Sequence, residues 1–585
     1  MNHDLQEEGA GPADSVWVSS RTVWLSGLLL IILLLCLIPA IDHGATVSPD
    51  EGVYAAQAEL LASGSWSAAR PATQLELPAG RDAIKPDFVD GDRYIPYPRH
   101  PVYSVLLAPF FRWGGLGGML VLSALGTAAA AVAAGLLAWR LDRRFGLPAL
   151  WILGLGSPLL FDAYFLAAHS LGAAMFGFVV LGVSDAVDKH RLISLVYALP
   201  ALVLLVGLRS EGVIAGVSLG AVVGLMALSA TFRTKVDWSG AFLGSVVVAV
   251  AGAAYLLDAR LAQAVVGSST SIANPSERVL GEATGPVSAI WISLFRPWTE
   301  SPIETRGAVL LCLLSVVLAA IVLRWAPKQA LLAVGLLVLA AVTAVIHVST
   351  PVDLISGLFA AFPLLGAGLL LIRWGDLADP LVVRLIGISA ISMVVLALTI
   401  YADGGAVQWG GRFFHVLLPA LVPLVILGLA RARDALDRPM ARVATAAVCV
   451  VTCCFSVTAL HANSKLREAN RDLVDQTEQF ARRDSGSGLP LVVVARLKPD
   501  GTSRVYWNEL DRLDIVSANG VQDLFKIIDH ARRVGYRSVV TVTDAPLWLF
   551  VPILTEQHRD LGWSVLGAHA VTGPGPRLWL YRLGD

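Results

Sequence analysis

The chain has 585 residues, of which 56% are hydrophobic and 15% charged, and its mean hydropathy is +0.67. That balance excludes an ordinary soluble protein of this length, because apolar runs of about 18–25 residues recur along it, as membrane spans require. A formal net charge of −1 supplies no basic field to attract nucleic acid.

Residues 1–20 are polar and acidic and are expected to be a disordered tail. The first apolar run lacks a basic n-region and a small-x-small cleavage site, so it reads as a retained span and not a signal peptide. About thirteen spans follow from the hydropathy pattern, near 22–41, 115–139, 147–163, 169–187, 192–208, 213–230, 239–257, 306–324, 329–349, 352–372, 385–402, 413–430 and 443–460. The five cysteines, Cys36, Cys312, Cys449, Cys453 and Cys454, all lie in apolar runs without zinc-ligand spacing and read as packing residues. Basic residues concentrate in alternate loops, at Arg140, Arg143 and Arg144, at Lys189 and Arg191, at Arg233 and Lys235, and again at Arg431, Arg433, Arg438 and Arg442. The positive-inside rule makes those loops and the N-terminus cytoplasmic, and puts the first loop and everything after His461 outside a cell membrane.

On the outer side the first loop, 42–100, opens with Ser48-Pro49-Asp50-Glu51-Gly52-Val53-Tyr54. Pro49 suits a first helical turn and Ser48 an N-cap, so a helix is expected from here to Ser63-Gly64. Pro96, Pro98 and Pro101 exclude a regular helix at the loop's end, and Val102–Phe111 reads as an interfacial helix ahead of the second span. A second long loop, 258–303, carries Arg278, Arg296, Trp298 and Glu300; a third, 403–412, ends in Gly410-Gly411-Arg412. From about residue 461 the pattern changes to an amphipathic helix, Lys465–Arg483, then strands at Leu489–Ala495, Ser538–Val542 and Leu578–Arg582, with helices at Val521–Val534 and Trp548–Asp560. The expected architecture is therefore a polytopic α-helical membrane domain over 21–460 and an extracytoplasmic α/β domain over 461–585. The latter has no Gly-rich phosphate loop, and so is given no catalysis; capping the site or binding acceptor suits it.

Charges beside spans are costly and mark candidate functional positions. Asp50, Glu51, Asp162, His169, Arg209, Glu211, Asp353, Arg412 and His415 all map to one rim. Mutual pairing of Arg209 with Glu211, a helix-end role for His169 and snorkelling of Arg412 are the bland alternatives. A carboxylate beside arginines suits removal of a proton from an acceptor hydroxyl, with cations stabilising a departing phosphate. Asp90-Gly91-Asp92 reads as a turn and not as a metal motif; no cofactor is implied, and metal dependence stays open.

These motifs resemble the GT-C superfamily of integral membrane glycosyltransferases, within it the dolichyl-phosphate-mannose–protein mannosyltransferases and the bacterial aminoarabinose transferases that modify lipid A. The resemblance rests on Asp50-Glu51 after span one, Arg99-His100-Pro101-Val102-Tyr103 before the interfacial helix, Arg209-Ser210-Glu211-Gly212, and Arg412 to Pro419. It implies a polyprenyl-phosphate-linked sugar donor, a hydroxyl acceptor on protein, glycan or glycolipid, inversion at the anomeric carbon, and Asp50 as base with Glu51 orienting it or touching substrate. The family often has Lys-Pro-Pro where this chain has Arg99-His100-Pro101, which leaves Lys85, Arg99 and His100 as alternative phosphate ligands alongside Arg412. A flippase or transporter and a non-catalytic envelope protein are the competing classes; the first fits poorly, since no internal repeat is evident and the charges cluster at one rim.

Overall fold

The computed structural model describes residues 19–69, 75, 88–90, 93–229, 238–266, 285–297, 303–348, 354–399, 409–482, 490–495, 502–510, 512–518, 521–544, 564–571 and 578–584. Lys85, Arg278, Trp298, Glu300, Asp353, the stretch 400–408 and the helix expected at Trp548–Asp560 lie outside the described residues.

Helices dominate the first four-fifths of the chain. Ten among the described residues are long and apolar enough to cross a membrane. They begin with α1, Ser20–Ile41. On it Trp24, Leu25, Leu28, Leu29 and Ile32 are exposed while Val23, Leu30 and Leu34 are fully buried, a division that suits one face in lipid and one in the bundle. Three expected spans are shorter or broken. Residues 147–163 form α4, Gly146–Gly156, and then the single turn α5, Leu159–Asp162, because Ser157-Pro158 interrupts the helix. Residues 192–208 form the short helix α7, Leu195–Leu208, and 352–372 split into Leu358–Ala361 and Pro363–Leu370 at Pro363. The second long loop starts later than expected. Its preceding helix, Trp238–Val266, runs on through Asp258-Ala-Arg-Leu-Ala-Gln-Ala, good helix formers that hydropathy alone does not extend; Gly285–Phe295 is helical as well.

The first loop holds α2, Pro49–Ala62, and a small antiparallel sheet of β1, Ala68–Ala69, β2, Phe88–Asp90, and β3, Arg93–Ile95. The interfacial helix and second span form one element, α3, Pro101–Leu141, broken where Gly114 and Gly115 leave helical geometry. Then come α6, His169–Asp188, and α8, Glu211–Leu228.

The last span and the amphipathic helix are likewise one, a 45-residue helix from Arg438 to Arg482 that passes residue 460 without a break. Its far end joins a five-stranded sheet in the order β5-β4-β6-β8-β7, formed by β4, Leu491–Ala495, β5, Asp514–Ala518, β6, Ser538–Thr543, β7, Ser564–Ala570, and β8, Trp579–Gly584. The first three strands in that order run parallel and the last two are antiparallel to their neighbours. One face packs on the helix Val521–Val534 and the other on Leu473, Val474 and Phe480 of the long helix. β5 and β7 have no counterpart in the expected pattern, the former because Asp514 and Ser517 interrupt its apolar run.

The two ends of the helical bundle differ in chemistry. At one end Arg140 pairs with Asp185, Arg384 with Asp188 at 2.7 Å, and Arg431 with Asp376 at 2.6 Å. These pairs tie helices together at the end that carries the basic loops. The other end carries the remaining polar cluster.

Candidate active site

Helix α2 starts where the sequence places it, yet its cap is unusual. Ser48 has the extended backbone of an N-cap, but among the described residues its buried hydroxyl has no hydrogen-bond partner. The Glu51 carboxylate does the capping instead, accepting from the backbone N–H groups of Ser48, at 3.2 Å, and Val47. Its other oxygen accepts from Leu166 N–H at 2.6 Å and from the Arg467 guanidinium at 2.9 Å. Arg467 is itself fully buried and donates to the Ala45 and Tyr164 carbonyls and to Asn463 Oδ1. Glu51 thus has every oxygen occupied and locks the first loop to the turn after α5 and to the long helix. Sequence reasoning missed Arg467. The spacing of Ala459, Asn463 and Arg467, four residues apart on one helical row with buried Ala459, was a usable signal for it.

Asp50 is placed differently. Its side chain is 40% exposed, and Arg412 Nη1 donates to its Oδ2 at 3.0 Å. Arg504 Nη1 lies 3.7 Å from its Oδ1. Burial pushes the Asp50 carboxyl upward, but Arg412, Arg504 and Arg209 outweigh it and hold the group below the usual carboxylate range. Arg504 was also missed, and nothing in the irregular stretch around it signals a role.

Arg412 opens a 3₁₀ turn, Arg412–Leu417, directly after Gly410 and Gly411. Gly411 has φ +65°, and a Cβ there would lie 2.1 Å from the Ser293 carbonyl oxygen, so only glycine brings the chain in this close. Phe413 then stacks between two guanidiniums, 5.3 Å from that of Arg412 and 5.9 Å from that of Arg209. Arg209 caps the C-terminus of α7 and does pair with Glu211, through Nε at 3.0 Å and Nη2 at 2.5 Å. That pairing leaves Nη1 for His169 Nε2 at 3.3 Å. Because a guanidinium only donates, His169 Nε2 accepts, which fixes its tautomer. His169, Gly172, Arg209, Glu211, Arg412, Phe413 and Val416 line a small cleft.

Behind the cleft, His415 and Asp162 are both buried, with His415 Nδ1 2.5 Å from Asp162 Oδ2 and Nε2 2.8 Å from the Gly410 carbonyl. The carbonyl can only accept, so Nε2 carries a proton, and this bond ties the imidazole to the Gly410-Gly411 turn that presents Arg412. The His169 and His415 rings lie 6.0 Å apart.

Of the other expected phosphate ligands, His100 has a left-handed backbone at the start of α3 and its Nδ1 lies 2.9 Å from Asp258 Oδ2. Arg99 is half-buried in the bend just before it. Arg412, Arg209, Glu211 and His169 therefore line one cleft, Asp50 reaches it through Arg412, Asp162 and His415 are buried next to His169, and Glu51 faces into the protein. Among the described residues no group of three or more His, Cys, Asp or Glu side chains is placed to hold a metal ion.

No family model matches the chain, and no curated protein does. Two solved structures resemble it in layout at 14% identity, each aligned over 96% of this chain and 98% of its own. They are ArnT from Cupriavidus metallidurans in the apo state, with a TM-score of 0.46, and the same protein bound to undecaprenyl phosphate, with a TM-score of 0.47.

Proposed function

We propose that this chain is a membrane glycosyltransferase of the GT-C type. It moves a sugar from a polyprenyl-phosphate-linked donor to an acceptor hydroxyl at the outer face of the cell membrane. The single observation that supports this most is the half-open Asp50 carboxylate held against Arg412, which lines a cleft together with Arg209, at the ends of apolar helices. A phosphate carried on a long lipid would sit at that height with its negative charge toward the guanidiniums.

In this reading the donor phosphate takes Arg412 from Asp50, and Arg209 is the next cation along the cleft. The freed carboxylate accepts the proton of the acceptor hydroxyl as its oxygen attacks the anomeric carbon. The bond from that carbon to the phosphate oxygen breaks, its electron pair stays with the phosphate, and the configuration at carbon inverts. The added negative charge on the leaving polyprenyl phosphate develops against arginine, where it is stabilised most. Glu51 holds α2 in place and takes no proton. Residues 21–460 form the transferase body in this proposal and 461–585 an extracytoplasmic domain, with the N-terminus in the cytoplasm.

The test is release of polyprenyl phosphate from a labelled polyprenyl-phosphate-sugar pool by purified protein in detergent. Release that depends on Asp50 supports the proposal. No release from mannosyl- or pentosyl-linked donors, with membrane extract supplied as acceptor, sinks it.

A further inference from the structure

Asp50 is held from two sides, and only Arg412 belongs to the helical bundle. Arg504 comes from the 3₁₀ segment Thr502–Tyr506, between β4 and β5 of the five-stranded sheet. The segment is fixed on three elements. A Cβ on Gly52 would lie 2.1 Å from the Arg504 carbonyl oxygen, so α2 and the segment touch backbone to backbone, two residues from Asp50. Trp507 is 6% exposed, joins the core of the helical bundle and stands edge-on to Phe111 of α3 at 6.1 Å. The Tyr506 and Thr477 hydroxyls share a hydrogen bond of 2.9 Å on the long helix.

We propose that Arg504 is a positioning residue for Asp50, supplied by the C-terminal sheet region, so that the site is complete only while that region is docked on α2. The role assigned to Asp50 rests on the function proposed above; the contact itself does not. Arg412 reaches Asp50 through one hydrogen bond to Oδ2, and a second guanidinium beside Oδ1 restrains the carboxylate more than that single bond does. When an anion draws Arg412 away, Arg504 still holds Asp50 in place and ionised. Among the described residues, the charged and titratable groups facing Asp50 are Arg412, Arg504 and Arg209, with the Tyr54 phenol beside them.

Carbodiimide coupling of an amine to Asp50 reads this without any substrate, since it needs the protonated carboxyl and the side chain is 40% exposed. The pH midpoint of Asp50 labelling is measured by mass spectrometry on the purified full-length protein. In Arg504→Gln the midpoint should rise by about one pH unit, and in Arg504→Lys it should stay close to wild type. Gly52→Ala, which keeps Arg504 but displaces its segment, should move it in the same direction. An unchanged midpoint in both Arg504→Gln and Gly52→Ala overturns the proposal. Transfer activity is the second readout, and its acid limb should move with the labelling midpoint. A shifted midpoint in a protein that releases no polyprenyl phosphate leaves the contact standing and removes the glycosyltransferase reading instead.

Discussion

Asp50 is 40% exposed and meets the cleft through Arg412, whereas Glu51, one residue on, is fully buried with both oxygens occupied. Both are acidic residues in the first turn of the same helix, and both pair with an arginine from a distant part of the chain. The difference lies in what remains available. Glu51 accepts from three backbone N–H groups and a buried guanidinium, so it has no room for a substrate and serves the fold. Asp50 keeps an open side, and in the proposed function the donor phosphate draws its partner away. A helix N-terminus favours a carboxylate in either case; exposure and spare lone pairs decide which of the two can act on a substrate.

The sharpest way to break this contrast is to neutralise each carboxylate in turn. Asp50→Asn keeps size and most hydrogen bonding but takes no proton. Transfer should fall by about 10²–10⁴-fold, with the protein folded and donor retained, as measured by single-turnover release of polyprenyl phosphate. Near wild-type turnover would move the base elsewhere in the cleft.

Glu51→Gln should instead act on the fold. Removing one charge of a buried pair leaves Arg467 uncompensated, and such losses run to about 3–5 kcal/mol. The expected result is a lowered thermal midpoint in detergent, with any surviving folded fraction still active per molecule. Arg467→Met should behave in the same way. A Glu51→Gln protein of normal stability and no transfer would reverse the two roles.

Arg412 lies between these extremes, since it serves both the carboxylate and the proposed phosphate. Arg412→Ala should raise the donor concentration needed by about 10–100-fold. Arg412→Lys should recover only part of this, because an ammonium lacks the planar fork. Titrating donor at fixed acceptor separates that effect from a change in turnover.

Much of this arrangement was legible in the sequence, for identifiable reasons. Pro49 and the carboxylates after it mark a helix start, and the structure begins α2 there. Repeated apolar runs mark the spans, and Val521–Val534 matches its helix to the residue because its apolar stripe ends at Gly535. The convergence of Asp50, Arg209 and Arg412 was legible because polar groups at span ends share one depth. Other features left no such trace. The separate fates of Asp50 and Glu51 depend on Arg467, more than 400 residues away in sequence, and adjacent acids look alike in a pattern. Arg504 sits in a stretch with neither helical nor strand periodicity, and only the docking of the sheet region brings it to the site. Breaks such as Ser157-Pro158 split spans that hydropathy reads as continuous.

The smallest expected effect is also the most discriminating. For Asp50, burial raises the carboxyl while Arg412, Arg504 and Arg209 lower it further, so its folded value lies below its unfolded one. A depressed value means stabilisation that is present above the unfolded carboxylate range and is lost as pH falls through the folded value. The proposed base is therefore ionised at neutral pH and stays so in mild acid. Between about pH 7 and 5, well above the ordinary aspartate value near 4, transfer by the wild-type protein should change by less than about twofold, once loss of folded protein is corrected for. Arg412→Ala removes the nearest cation and leaves the upward push of burial less opposed, so its acid limb should move up toward that window. An acid limb centred between about pH 6 and 7 in the wild type would instead match a group with the ordinary range of an imidazole. The proton acceptor would then not be Asp50, and the contrast between Asp50 and Glu51 would describe two structural carboxylates.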